Sequence, residues 1–478
     1  MKNILFAPGL VLAAMPLAAA PAIAQETPPA ASETARELAA MRAEMARMAA
    51  RIETLEAELA AADDAPAAVP ADDVTAAVPA DDATAAADPA NAHAEGASGG
   101  APAGRGGTTI RWKGAPVIEG EGGWSFKPRG RLQIDAGTIA APAATGVEDG
   151  FGSEIRRARL GVEGDIPGGF GYKFELDFAG GEVEIADAIA TYGDGGLTVS
   201  AGQHNTFQGL EELTSSRFIS TMERAAFTDA FGFERRVGLS AQYAADGWLV
   251  QAGVFGDNAD DLSNRNWSVD GRLVAMPELG GAQLHLGGSL HYAEYESGTT
   301  LRYRQRPFVH FTDTRFIDTG RFAADSELGM GLEAAAIAGP FHAAAEGFWQ
   351  KVDRPGALAD PTFFGGYAEV GLFLTRGDTR GYKRGVFDRV KPASPVGEGG
   401  FGAIQVNLRY DRLDLSEAAI VGGTQDGYAL SLVWTPTDHT RLMANYGRME
   451  YRGAAIPAAG GERSYGVDAF GVRAQIDF

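Results

Sequence analysis

The sequence predicts an all-β chain, a sixteen-stranded antiparallel transmembrane β-barrel preceded by a short coiled-coil helix and a disordered linker. Three observations predict it. From Thr108 to Phe478 polar and apolar residues alternate with a period of two, the mark of strands whose successive side chains point to opposite faces. The connections between these runs are by turns short and long, as in barrels with tight periplasmic turns and extended outer loops. The final run ends on Phe478, with Phe470, Val472, Ala474 and Ile476 on one face and Arg473, Gln475 and Asp477 on the other.

Composition agrees. A chain of 478 residues with 64 glycines and 45% hydrophobic residues does not describe one large soluble core. Past the N-terminus no apolar run reaches the ~18 residues of a membrane helix. The absence of cysteine excludes disulfides, thiol catalysis and Cys-ligated metal, and a formal charge of -22 argues against a nucleic-acid partner.

The elements follow in order. Residues 1–24 read as a signal peptide: Lys2, an apolar run from Ile4 to Ala20, and Ala22-Ile23-Ala24 as a small-x-small cleavage site. Residues 33–62 read as a coiled coil, since Leu38, Met41, Met45, Met48, Ile52, Leu55 and Leu59 alternate steps of three and four. In that register Glu37 with Arg42, and Arg51 with Glu56, can pair between parallel helices. Residues 63–107 form an acidic Ala/Pro/Asp linker in which AAVPADDVT recurs as AAVPADDAT, too poor in aliphatic and aromatic bulk to order itself.

Residues 108–478 are the barrel. Candidate strands are 129–139, 155–166, 170–179, 182–192, 197–204, 236–245, 247–255, 268–276, 282–294, 327–338, 341–352, 363–376, 401–412, 427–435, 440–451 and 465–478. Each is near the ~10 residues a tilted strand needs to cross a bilayer. Residues 413–426 read as an outer loop. Two connections break the alternation: Gly180-Gly181 is brief for an outer loop, and 377–400 is long for a periplasmic turn.

In such a barrel the apolar face meets lipid and the charged face meets a watery lumen. An Arg or Lys at the lipid midplane would cost ~2–4 kcal/mol. Parity therefore places Arg129, Arg131, Gln133, Asp135, Arg157, Arg159, Glu163, Lys173, Glu175, Asp177 and Arg473 inside. Because the first and last strands adjoin, Arg129, Arg131, Arg157, Arg159 and Arg473 would form one cationic wall. Glu175, Asp177, Glu182 and Glu184 would form an anionic one, with Gln405, Asn407 and Arg409 near the other side. Arg156 has the opposite parity and reads as a strand-end residue near the interface. Residues 205–235 carry Phe207, Phe218, Phe227, Phe231 and Phe233, too many aromatics for a solvated loop. The segment is predicted to fold inward as a constriction carrying Arg217, Arg224, Arg235 and Arg236.

Three stretches, EIRRARLGVEGDIPGGFGYKFELDFA (154–179), LTVSAGQHNTFQGLEELTSSRFISTMERAAF (197–227) and GYKRGVFDRVKP (381–392) with GAIQVNLRYDRLDL (402–415), resemble the phosphate-selective porin O and P family from about Phe126 to Phe478. The C-terminal Phe pattern likewise resembles that of bacterial outer-membrane barrels. The resemblance implies a homotrimer of sixteen-stranded barrels in the outer membrane, tolerates the long 377–400 connection, and suits an N-terminal helical segment, here in the periplasm. It also implies passage of phosphate past lumen arginines and lysines, one of them in a GQ-x-K stretch. Here that stretch is Gly202-Gln203-His204-Asn205, with Asn205 in the lysine's place. From residue 108 onward, 35 Lys and Arg face 48 Asp and Glu, a net of -13.

The expected function is passive diffusion of small solutes, with anion preference set by the arginines at positions 129, 131, 157, 159, 409 and 473 and by Lys173. Two alternatives stay open: a general or organic-solute pore with opposed acidic and basic walls, and an envelope tether in which the N-terminal segment contacts the cell wall. Lipid and small anions are the expected partners. His285, Ser289 and His291 share a strand face, and Asp257, Asp260 and Asp261 cluster, but neither set matches a hydrolase or Ca-loop spacing. No catalytic residue, metal or cofactor is expected.

Overall fold

The computed structural model describes residues 108–112, 114–147, 150–261 and 265–478. The cleavage site, the heptads and the linker lie outside these residues. The barrel begins with β1 (Ser125–Ala140), β2 (Gly150–Ile166), β3 (Phe170–Asp177), β4 (Glu184–Asp194), β5 (Leu197–Asn205) and β6 (Arg235–Ala245). It continues through β7 (Trp248–Phe255), β8 (Trp267–Ala275), β9 (Ala282–Glu294), β10 (Ser326–Ala338) and β11 (Phe341–Asp353). It ends with β12 (Thr362–Phe373), β13 (Ala403–Glu417), β14 (Ile420–Thr437), β15 (Thr440–Arg452) and β16 (Tyr465–Asp477). Each strand pairs antiparallel with the next, and β16 returns to β1 with Arg473 opposite Asp135 and Gln475 opposite Gln133. Closure leaves no edge. Phe478 completes the seam by exchanging backbone hydrogen bonds with Gly130, at 3.0 and 3.1 Å.

The two faces differ as lipid and lumen require. On β16, Phe470, Val472 and Ile476 are 47%, 41% and 48% exposed, whereas Arg473 is 1% and Gln475 6% exposed. The apolar belt ends outward in a row of tyrosines. Tyr410 and Tyr446 donate to Asp426 and Asp468 at 2.7 and 2.6 Å, rings in lipid and hydroxyls in water. Beyond that row the polarity of the strands inverts: Arg412 and Asp414 point outward, while Leu413 and Leu415 are fully buried inside. This inversion explains why 413–426 is not the expected loop. Above the hydrocarbon the outer face is wet and the inner face meets folded loops, so β13 and β14 run on to a tight turn at Ala418-Ala419, both with positive φ.

Three connections fold into the lumen. The first is 206–234, as its aromatics predicted, with two short helices, α1 (Leu210–Leu213) and α2 (Ala226–Ala230). The second is outer connection 295–325, which the sequence marked only as long. Their aromatics form one core with the barrel: Phe227 stacks on Phe348 and Tyr367 at 6.0 and 6.5 Å, and Phe316 stacks on Tyr451 at 5.2 Å. The third is the long periplasmic connection 374–402, which raises a hairpin, Gly381–Lys383 paired with Val386–Asp388, into the lumen. Its turn, Arg384-Gly385, has φ of 48° and 79°. The brief Gly180-Gly181 connection is a single turn, Ala179–Gly181, at the rim.

Candidate permeation path

Two β-bulges decide which charges reach the lumen. Opposite Gln133 and Ile134 the register of β2 shifts by one residue, pairing Gln133 with Arg157 and Ile134 with Ile155. The extra residue is Arg156, so Arg156, Arg157 and Arg159 all face inward. Parity alone had left Arg156 outside; its guanidinium instead grips the loop carboxylate Glu223 through two hydrogen bonds of 3.0 Å. A second bulge, on β4, pairs Glu175 with Asp187 but Leu176 with Ile185. It brings Asp187 inside, a residue the sequence analysis missed. Glu182 is consequently exposed in the connection before β4, and Glu184 sits at the rim, so the acidic wall is Glu175, Asp177 and Asp187.

The cationic wall is interlocked with acids. Arg129 pairs with Glu163; Arg159 meets Asp177 at 2.7 Å and Glu175 at 3.2 Å. Arg131 lies 3.8 Å from Glu175 and donates to Ser216 Oγ at 2.8 Å. Lys173 and Arg235 bracket Asp187 at 2.7 and 2.8 Å. Arg157 donates to Gln133 Oε1 at 2.8 Å and forms no ion pair among the described residues.

On the opposite side the loop is tied to the barrel through its own backbone. Carbonyls of Arg217, Ser220 and Met222 accept hydrogen bonds from Arg441 (2.9 Å), Ser431 (2.6 Å) and Arg473. Asn407 also reaches Ser220 O, and Arg380 reaches Phe218 O. Wall carboxylates take the free N–H groups at the helix starts. Glu346 accepts from Leu210 and Glu211 at 2.8 and 2.7 Å, and Asp411 from Ala226 at 2.9 Å. Arg224 fixes the loop's own reversal by donating to the carbonyls of Glu211, Glu212 and Thr214 at 2.8–3.0 Å.

Glu223 joins the two halves. Burial alone would raise its carboxyl, but the Arg156 and Arg473 guanidinium groups hold it well below the usual carboxylate range. Arg473 itself bridges Asp135 and Glu223, each at 2.6 Å, and Arg409 bridges Glu369 and Glu211 at 2.7 and 2.8 Å. Both lie behind the loop. They hold it, and neither lines the chambers described next, contrary to the expectation for these two residues. Arg129, Arg217 and Arg236 are also absent from those linings: Arg217 approaches Asp477 at 3.6 Å, and Arg236 lines an outer vestibule with Arg304 and Arg315.

Two chambers flank the loop among the described residues. The periplasmic-side chamber, about 130 Å³, is lined by Arg131, Lys173, Arg272, Lys383 and Arg384 against Asp187 and Asp388. The outer chamber, about 300 Å³, mixes Arg156 and Arg306 with Asp177, Glu184, Glu212, Glu223 and Asp229. Arg157, Arg159, Arg224 and Arg235 line both. Asn205 borders the periplasmic-side chamber, its Oδ1 without a hydrogen bond. Arg272 was readable from strand parity; it donates to Gly385 O at 2.8 Å and fixes the hairpin tip. Lys383 and Arg384 had no signal beyond the unusual length of their connection. Of the strand-face candidates, Ser289 Oγ has no hydrogen-bond partner among the described residues, and His291 sits between Asp270 (3.0 Å) and Glu327 (3.2 Å).

A closed sixteen-stranded barrel with a lipid belt, an inward loop and a charged lumen defines an outer-membrane porin. The chain belongs to the phosphate-selective porin O and P family, whose profile matches residues 126–478. It is 47% identical over 387 residues to a Caulobacter vibrioides protein described as uncharacterized, covering 78% of this chain and 77% of that one. Among solved structures, the anion-selective porin from Comamonas acidovorans superposes with a TM-score of 0.47 at 12% identity, over 74% of this chain and 100% of that chain. Pseudomonas putida OprB gives a TM-score of 0.48 at 13% identity, over 75% and 95%.

Proposed function

We propose that this porin is an anion-preferring diffusion pore whose narrow zone is made by Arg157, Arg159, Arg224 and Arg235. The observation that carries the reading is that these four arginines border both chambers, so a solute passing from one to the other meets them. Guanidinium groups present several donors in a fixed fork, which suits oxyanions and replaces part of their hydration. Asp187, Glu175 and Asp177 keep the like charges together without cancelling the basic lining of the periplasmic-side chamber. Phosphate and similar oxyanions fit this chemistry. With Asn205 in place of the family's lysine, arginine supplies the charge.

The zero-current potential in a chloride gradient tests the reading. It is expected to have the sign of anion preference, and cation preference would overturn it. The family resemblance further supports a homotrimer, to be checked by cross-linking in native membranes. Deleting residues 33–107 separates pore from tether: a pore keeps its conductance.

A further inference from the structure

We infer that the periplasmic-side chamber binds an organic anion, one carrying a ring-sized apolar body beside its charged group. The inference rests on the anion-preferring reading above and adds the substrate class. The chamber's lining is the first ground, since phenylalanine, leucine and valine side chains share it with the basic ones and a four-oxygen inorganic anion makes no use of them.

The division of the lining is the second ground. Arg131, Arg157, Arg159 and Lys173 come from β1, β2 and β3, and the inward segments add Arg224, Lys383 and Arg384. Phe207, Leu213 and Phe218 come from loop 206–234, and Val386 and Phe387 from the periplasmic hairpin. The two inward segments thus bring an apolar surface against a basic wall. That surface is held in place: Phe207 packs edge-on against Phe255 at 6.1 Å, and Phe218 lies under the Arg217 and Arg389 guanidinium groups at 4.9 and 5.2 Å. A free inorganic anion uses only the wall. A ligand with both parts also removes apolar area from water, which is favourable in proportion to the area covered.

The test uses the full chain in planar bilayers, with the chloride current titrated by phenyl phosphate, inorganic phosphate and benzyl alcohol. Phenyl phosphate is expected to half-block at a concentration about tenfold below that of inorganic phosphate, the gain from burying one ring. Benzyl alcohol, which lacks the charge, is expected to block far more weakly than either. Phe207→Ala should bring the ratio of the two phosphate values toward one, and Phe207→Leu should keep most of it. Equal half-blocking concentrations for the two phosphates in the native protein would overturn the inference, as would block by benzyl alcohol as strong as that by phenyl phosphate. The zero-current potential keeps the two readings apart. Cation preference removes the anion reading itself, whereas anion preference with equal block removes only the organic ligand.

Discussion

On β13–β16 the lumen arginines end on loop carbonyls and buried carboxylates, whereas on β2 and β6 they pair with wall carboxylates or amides and border open space. Arg409, Arg441 and Arg473 serve the first role, and Arg157, Arg159 and Arg235 the second. The residue type is the same and the parity rule that placed it inside is the same. What differs is the segment packed against it. Loop 206–234 lies on the β13–β16 side, where its buried carbonyls need donors, and arginine supplies several at once. The lumen is thereby split into a sealed half that fixes the loop and an open half, the one proposed to conduct.

Breaking the sealed half has the largest expected effect. Arg473→Ala leaves Asp135 and Glu223 buried without their shared cation, a loss of ~3–5 kcal/mol. Thermal unfolding in detergent should shift down, and single-channel conductance should rise as the loop loosens. Unchanged conductance would mean that Arg473 does not hold it. Glu346→Gln is smaller, ~1–3 kcal/mol, because one of two N–H groups at the start of α1 loses its acceptor. Its expected sign is noisier current with little change in ion preference.

Acid should sharpen the same contrast. Glu223 is held below its ordinary value of 4.5, so its contribution is fully present above that pH and is lost as pH falls through the depressed value. The hold that Glu223 itself supplies is expected to persist from about pH 7 to about pH 5 and to fail only in stronger acid, so the conductance difference between the native chain and Glu223→Gln should stay constant over that range. A step near neutral pH would assign control of the loop to another group. The smallest effect is predicted at the outer turn, where Ala418 and Ala419 hold φ of 52° and 66°. Ala419→Gly relieves a left-handed conformation and should stabilise the barrel by ~1 kcal/mol, read as a slightly higher unfolding temperature.

These residues also show how far the sequence could be read. Period two and the loop alternation place all sixteen strands, because a lipid-facing side chain has to be apolar and its neighbour meets water. The inward fold of 206–234 was legible from its phenylalanines. Arg156 and Asp187 were not, because a bulge inserts one residue and nothing in RRARL or EIADA marks where. Arg409 and Arg473 lie on the face that parity gives them but under the loop, because parity says which way a side chain points and nothing about what is packed over it. Lys383 and Arg384 reach the path through a hairpin whose rise into the lumen depends on Arg272, Leu249 and Val274 across the barrel.

The division of labour is tested most directly by zero-current potentials of the native chain, of the Arg157→Ala/Arg159→Ala pair and of Arg409→Ala, in one chloride gradient. Native anion preference should fall about fivefold in the pair, the weight of ~1 kcal/mol lost at a partly screened site, and should survive in Arg409→Ala. An unchanged ratio in the pair, or an equal fall in Arg409→Ala, would contradict the assignment of selection to the open half.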